Sequence, residues 1–596
     1  MPTEKELLAF WASFLLLHVG GPDTITAFAL EDNELLTKQL LGLVVQVVAA
    51  VYIFFQPLRG NKLLFPTVLV FIAALIKYFE RIRALDLASL EKFRDLSGDH
   101  FSRLLGFSHE NGRVIPIQED RDYVEVGCQY FNVFRLILAD LVPSFKEVKL
   151  EGPSIDDFSP ADALGIIEVE LNLVYEVFHT KIQATHCVLG IVLRFISFGS
   201  VLAALSIFYF RVEKHGFNEF DVRVTYTLFG GAIALDIINF FMLVSSDWTF
   251  VALQNGADGS ILGKFKNRIA AFIRPFFILK SPRCQHWHVG DKYKVLAIHS
   301  LFGRWPGSVL VISWTAFWLN VPPSRVNRGE IGLYLAWQKV IHYLGIDRLI
   351  PWMAIAKNNV TRFLHMSKII DDVRIQRCLS HQPLTEELWQ FIFYEIKRKA
   401  QYAGDPEAGV KRTVCSASGH CTLQDLGTNG DHLIEIMKKI SKNYAYFSIN
   451  VTVPFSKILS DYMLYLLLLK PTMMNSAPIC TKRILRRTNS AADKLLEKNG
   501  IKSRPAKAAY KKIMDEPVPE LSDSALEDAI KLGNGLQKLD EDKKWKTVSR
   551  ILMEILSYGA SHCTSMAHAQ HVTNGGELIT FVWLLMLHFH LVEPKD

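Results

Sequence analysis

Apolar residues crowd this chain in blocks rather than scattering through it. A helix needs about 20 mostly apolar residues to cross a bilayer, and four stretches approach that length. They are "LLGLVVQVVAAVYIFF" (40–55), "LLFPTVLVFIAALIKYF" (63–79), "CVLGIVLRFISFGSVLAALSIFYF" (187–210) and "VTYTLFGGAIALDIINFFMLV" (224–244). The run "LLAFWASFLLLHVGG" (7–21) is shorter and suits a truncated span, a re-entrant piece or an interfacial helix. "GSVLVISWTAFWL" (307–319) and "LITFVWLLMLHF" (578–589) are shorter still, and suit burial in a globular part or a place on the membrane surface. Elsewhere, residues 130–142 and 163–183 repeat apolar positions every three or four residues, the spacing of a helix with one buried face. "LSDYMLYLLLLKP" reads as a buried or interfacial helix ended by Pro471, and residues 402–430, rich in Gly, Ser, Thr and Asp, as a loop.

This pattern predicts an all-α, multi-pass helical membrane protein with a large, mostly helical cytosolic portion. The expected organisation is N-terminal membrane helices over 1–80, a cytosolic helical segment over 81–185 and a transmembrane hairpin over 186–250. A basic juxtamembrane region (251–360), a cytosolic helical region with loops (361–530) and a C-terminal domain (531–596) follow.

Composition agrees. Half of the 596 residues are hydrophobic, and the mean hydropathy is +0.17. The net charge of +6 is small for this length, so its distribution says more than its sum. Residues 261–304 hold nine lysines and arginines against the single acid Asp291. Positive charge beside a span marks the cytosolic side, which places this region, residues 80–186 and the N-terminus in the cytosol. Anionic lipid headgroups are the expected partner of 261–304. A second basic stretch, 482–512, carries eleven Lys or Arg and two acids, and reads as a solvated helix and linker or as another headgroup contact. The sequons at Asn359 and Asn450 are then cytosolic and unmodified. Eight scattered cysteines form no paired framework, so reduced thiols are expected. Glu4, Lys5 and Glu6 precede the first apolar run without a clear cleavage site, which is not the pattern of a secretory signal.

Three groups of residues are candidates for chemistry. Arg194 lies inside the third apolar stretch and Asp236 inside the fourth. A lone charge near the bilayer centre costs about 2.5–3.5 kcal/mol, and in adjacent antiparallel helices at 1.5 Å rise their depths differ by only about 2–5 Å. They are expected to pair, either to fix helix register or to serve transport or gating; the alternative is that Arg194 snorkels to the interface without a partner. Asp23, Glu31, Asp32 and Glu34 form an acidic cluster beside the first firm span. Asp23 suits a helix N-cap and Glu34 an i,i+4 pair with Lys38; the functional alternatives are a cation-binding mouth or a docking surface. The third group is His562, Cys563, His568, Gly575 and Gly576 near the C-terminus; the histidines and cysteine read as part of a surface or packed helix, with a zinc site as the alternative, and the glycines as a turn that serves packing before the last apolar helix. Cys284, His286 and His288, and Cys415, His420 and Cys421, lack the spacing of a closed zinc site. No phosphate-binding loop, nucleophile elbow or kinase signature is present. No metal, cofactor or nucleic-acid partner is therefore expected.

Several phrases carry a resemblance. "LLLHVGGPDTITAFALEDNEL", "KYFERIRAL" (77–85), "IIEVELNLVYEVFHTK" (166–181), "SSDWT" (245–249) and "ASHCTSMAHAQHVTNGGELITFVWLLM" resemble a plant multi-pass membrane family, domain of unknown function 4220. The last phrase resembles its usual C-terminal companion, domain of unknown function 594. The resemblance implies about two further hydrophobic helices ahead of the "HVGGPD" phrase, and a Trp-His-containing helix before "LSDYM" where this chain has "GDHLIEIMKKISKNYAYFSINVTVPF". Such departures suit a truncated or diverged member. The expected role is a membrane-anchored scaffold or signalling component with protein partners. The alternatives are an ion or small-solute transporter using Arg194 and Asp236, which would need a homo-oligomer, and a membrane-surface enzyme.

Overall fold

The computed structural model describes residues 4–19, 63–87, 120–138, 155–185, 188–212, 217–244, 246–249, 284–288, 294–298, 308–312, 378–403, 454–474, 487–491, 525–572 and 577–592, with a few single positions between them. The acidic cluster Asp23, Glu31, Asp32 and Glu34, nearly all of the apolar run 40–55, and Cys415, His420, Cys421, Gly575 and Gly576 lie outside the described residues.

The described residues are mostly helical. In chain order the helices are α1 (Glu4–Val19), α2 (Leu64–Leu87), α3 (Asp120–Leu138), α4 (Pro160–His179), the single turn α5 (Ile182–Thr185), α6 (Val188–Phe210) and α7 (Glu219–Val244). Then come α8 (Glu386–Ala403), α9 (Pro454–Leu469), α10 (Ala525–Gln537), α11 (Glu541–His562), α12 (Ser565–His571) and α13 (Leu578–His588). This fits the all-α expectation, with two small two-stranded sheets beside the helices: β1 (Cys284–His288) pairs with β2 (Lys294–Ile298), and β3 (Ser308–Ile312) with β4 (Leu379–Pro383). The chain divides into two compact units. One comprises Met1–His286, Ala297–Pro306 and Ser565–Asp596, the other Trp287–Leu296 and Gly307–Thr564.

The first unit holds two helical cores. In one, α1 packs against α2 and α7, and α6 packs against α2 and α7. Phe10 and Phe14 of α1 meet Phe229 of α7 edge-on or tilted, with ring centroids 5.9 and 4.8 Å away, and Phe10 stacks on Phe208 of α6 at 6.0 Å. Trp11 Nε1 donates to Thr225 Oγ1 at 3.0 Å. The short run left open by the sequence is thus a 16-residue helix docked in this core. Gly190 permits the tight turn from α5 into α6, because a β-carbon there would stand 2.5 Å from the Ala184 carbonyl oxygen.

In the other core, α3 packs on α4 and both receive the C-terminal helices α12 and α13. The sequence starts α4 firmly: Ser159 Oγ accepts from Asp162 N at 3.2 Å, Ser159 N donates to Asp162 Oδ2 at 3.3 Å, and Pro160 opens the first turn. Gly127 of α3 lets the backbone approach Val169 of α4, where a β-carbon would come within 2.7 Å of Val169 Cγ1. Every residue of α13 is buried by the chain itself. This apolar helix is therefore a core element.

In the second unit, α9 packs on β3 and α11, with Tyr462, Leu466, Val309, Val311 and Ile312 buried. The segment 308–312 is a strand because three of its five residues are β-branched and it pairs antiparallel with β4, Leu310 opposite His381. Ser456 and Ser549 share a 2.6 Å hydrogen bond between α9 and α11. Glu395 of α8 accepts from Arg398 at 2.8 Å and from Arg550 of α11 at 3.1 Å.

Candidate intramembrane charge site

Among the described residues, two helices are long and apolar enough to cross a membrane, Leu189–Phe210 and Glu219–Val244. At 1.5 Å per residue, α6 and α7 run about 34 and 39 Å, against roughly 30 Å of hydrocarbon. Only 22 % and 11 % of their most apolar windows are buried inside the protein. Phe195, Phe210, Ile237, Ile238 and Phe240 all lie more than half exposed. In water these faces would be a large apolar patch. Three exposed hydroxyls on these helices close on their own backbone. Ser200 and Ser206 donate to the Ile196 and Leu202 carbonyls at 2.7 and 2.9 Å, and Thr227 to the Arg223 carbonyl at 2.9 Å. Hydrocarbon would offer these hydroxyls no other partner, so the arrangement is compatible with lipid.

Charge gathers at one place in this apolar cluster. Lys77 Nζ on α2 lies 2.5 Å from Asp236 Oδ1 on α7, with both side chains about nine-tenths buried. Arg194 Nε on α6 lies 3.6 Å from Glu80 Oε1 on α2, an ion pair longer than a hydrogen bond. All four residues line one cavity of about 250 Å³, together with Lys181, Ser197 and Asn239. Its remaining wall is apolar: Ile191, Phe195 and Phe198 from α6, and Ile237, Phe240 and Leu243 from α7.

Arg194 and Asp236, expected to meet each other, share this cavity, but each takes its ion-pair partner from α2. The physical reason is that α6 lies along α2 over much of its length and meets α7 less closely. Lys77 and Glu80, one helical turn apart, present opposite charges to two different neighbours. The sequence held a signal for them, since "KYFERIRAL" puts charges at the end of an apolar helix. Their spacing alone did not say which of those charges turn inward.

The C-terminal candidates take packing roles. His568 is fully buried, its ring stacked on Trp583 at 4.3 Å and its Nδ1 3.2 Å from Thr580 Oγ1. His562 Nδ1 lies 2.9 Å from the Tyr558 carbonyl oxygen, with the two rings stacked at 3.8 Å. Burial pushes the Cys563 thiol up to about 12, so it is not a nucleophile near neutral pH. Cys284, His286 and His288 form strand β1. Among the described residues no group of three or more His, Cys, Asp or Glu is placed to hold a metal ion.

Sequence reasoning missed a set of buried acids on α4. Glu176 accepts from Ser246 Oγ at 2.9 Å and from the backbone N–H groups of Asp247 and Trp248 at 3.3 and 3.4 Å. Asn172 donates to both Glu176, at 3.1 Å, and Asp247, at 2.6 Å. The phrases at 166–181 and 245–249 are thus two halves of one polar clamp. The apolar periodicity of α4 hid it, because the acids lie among residues that pack. Glu170 is fully buried with its Oε2 2.7 Å from His588 Nε2 on α13.

Burial raises the Glu170 carboxyl above its ordinary 4.5, with His588 opposing the shift. The folded chain then holds a proton that the unfolded chain releases above about pH 4.5. Stability from this group is complete below that pH and is lost as pH rises through the raised folded value. We expect the unfolding temperature to fall more steeply as pH rises above about 4.5 in the wild type than in Glu170→Gln. Parallel slopes would show that Glu170 does not titrate above its ordinary range.

A mostly helical protein with two bilayer-length apolar helices and a charged cavity beside them is the class this structure defines. A family profile described as "Domain of unknown function (DUF4220)" matches residues 1–308, more than half of the chain, and the protein belongs to that family. A second, "Protein of unknown function, DUF594", matches residues 537–591. No curated protein and no solved structure gives a match.

Proposed function

We propose that this is a multi-pass integral membrane protein that acts as a bilayer-anchored scaffold. Its α1, α2, α6 and α7 cluster lies in lipid, and its other helical cores stand on the cytosolic side. The observation that carries the reading is the outward apolar surface of α6 and α7, left uncovered by the other described residues. The basic stretch 261–304 supports the cytosolic placement and is assigned to anionic headgroups. A scaffold suits the balance of the molecule, because most described residues outside this cluster build packed helical cores. Transport is the second reading, favoured by the charged cavity.

The test is extraction of native membranes with alkaline carbonate, then with detergent. The chain is expected to stay in the carbonate pellet and to dissolve only in detergent. Release by carbonate would reject the membrane reading. Purified protein in liposomes separates the two roles: ion flux abolished by Asp236→Asn in a folded variant would replace the scaffold with transport.

A further inference from the structure

The cavity between α6 and α7 has the makings of a binding site, and we propose that it takes the head of a membrane phospholipid bearing both a phosphate and an N–H or O–H donor. This rests on the membrane reading above. Three observations point to it. First, the rim is apolar and faces outward: Ile191, Phe195, Ile237 and Phe240 line the cavity and are 41 %, 66 %, 56 % and 57 % exposed. A ligand arriving from the lipid would find continuous apolar surface for its chains. Second, the floor carries both signs, with Lys77, Lys181 and Arg194 beside Glu80 and Asp236. Arginine carries five N–H donors and lysine three, more than one carboxylate oxygen takes up, so Lys77 and Arg194 can serve a phosphate without giving up their ion pairs.

Third, two polar atoms in the wall lack hydrogen-bond partners. Ser197 is 4 % exposed, and its Oγ has none, although Ser200 and Ser206 on the same helix close on their own carbonyls. Asp236 Oδ2 also has none, although its Oδ1 meets Lys77. A buried oxygen without a partner is costly, and a carboxylate oxygen needs a donor. A phosphate alone does not supply one. A head that also carries an amine or hydroxyl does, as in phosphatidylethanolamine. Phosphatidylcholine presents the same phosphate with a quaternary ammonium that has no N–H, so the site should reject it.

The experiment uses the purified full chain in neutral detergent with a phosphatidylethanolamine labelled on its acyl chain. Binding is expected to be saturable, with unlabelled phosphatidylethanolamine displacing the probe at least about tenfold better than phosphatidylcholine. Ile237→Trp blocks the mouth from an exposed position and leaves the charges in place, and Ser197→Leu fills the interior. Each should weaken binding by about tenfold or more. Equal displacement by the two lipids, or unchanged binding in folded Ile237→Trp, overturns the proposal. Displacement by soluble phosphoethanolamine as strong as by the lipid overturns a lipid source in favour of a water-borne ligand. A chain that resists carbonate yet shows no saturable binding loses this inference alone; release by carbonate would fell the membrane reading itself.

Discussion

Asp236→Leu is expected to destabilise the detergent-solubilised protein by about 3–5 kcal/mol, the usual cost of removing one partner from a buried ion pair. The cost arises because Lys77 is about nine-tenths buried and loses the carboxylate 2.5 Å away. A cation left among apolar helices is worse than no cation. The double variant Lys77→Met/Asp236→Leu should therefore recover most of the loss, since replacing both members by apolar groups of similar size is often neutral or better. Unfolding followed by circular dichroism for the two single variants and the double variant closes the cycle. Additive single effects would mean that the two residues do not interact in the folded protein. Glu80 and Arg194 stand 3.6 Å apart in the same cavity, so the cycle also reports on whether a second pair can shelter the orphaned lysine.

Trp583→Ala is expected to cost about 3–5 kcal/mol, the range for deleting a buried large aromatic side chain. Trp583 is 3 % exposed. Its ring meets Phe134 of α3 edge-on at 5.4 Å and stacks on His568 of α12 at 4.3 Å. The residue belongs to the segment matched by the second profile, 537–591, whereas α3 belongs to the first, 1–308. The prediction therefore separates two architectures. If the C-terminal segment folded by itself, the variant would leave α3 and α4 intact. In this structure α13 fills the core those helices share, so protection of α3 and α4 against hydrogen exchange should fall together with that of α13. Retained protection of α3 and α4 in Trp583→Ala would show that the C-terminal helices are not part of that core. For the same reason, truncating the chain before α12 is a poor probe of partner binding, because it opens this core.

How far the sequence could be read depended on the range of the interaction. α6 and α7 were legible because a bilayer-length apolar run is a property of consecutive residues. α4 was legible because its three- and four-residue apolar spacing is local as well. The strand at 308–312 was missed: four consecutive apolar residues have no helical or alternating period to read, and pairing with β4 some seventy residues away settled the matter. The candidate site divides in the same way. Arg194 and Asp236 stood out because a charge inside an apolar run is conspicuous. Lys77 and Glu80 did not, because they lie where α2 turns polar.

By itself, then, the sequence determined which segments are apolar enough for lipid, where positive charge accumulates and which helices carry a buried face. Each follows from the composition and spacing of neighbouring residues. Only the tertiary structure decided which charges meet, that Glu176 clamps the backbone of Asp247 and Trp248, and that α13 completes a core built by helices more than four hundred residues earlier. Those outcomes depend on side chains brought together across long stretches of chain, where distance, burial and the choice among competing partners set the energy, and no local pattern records that choice.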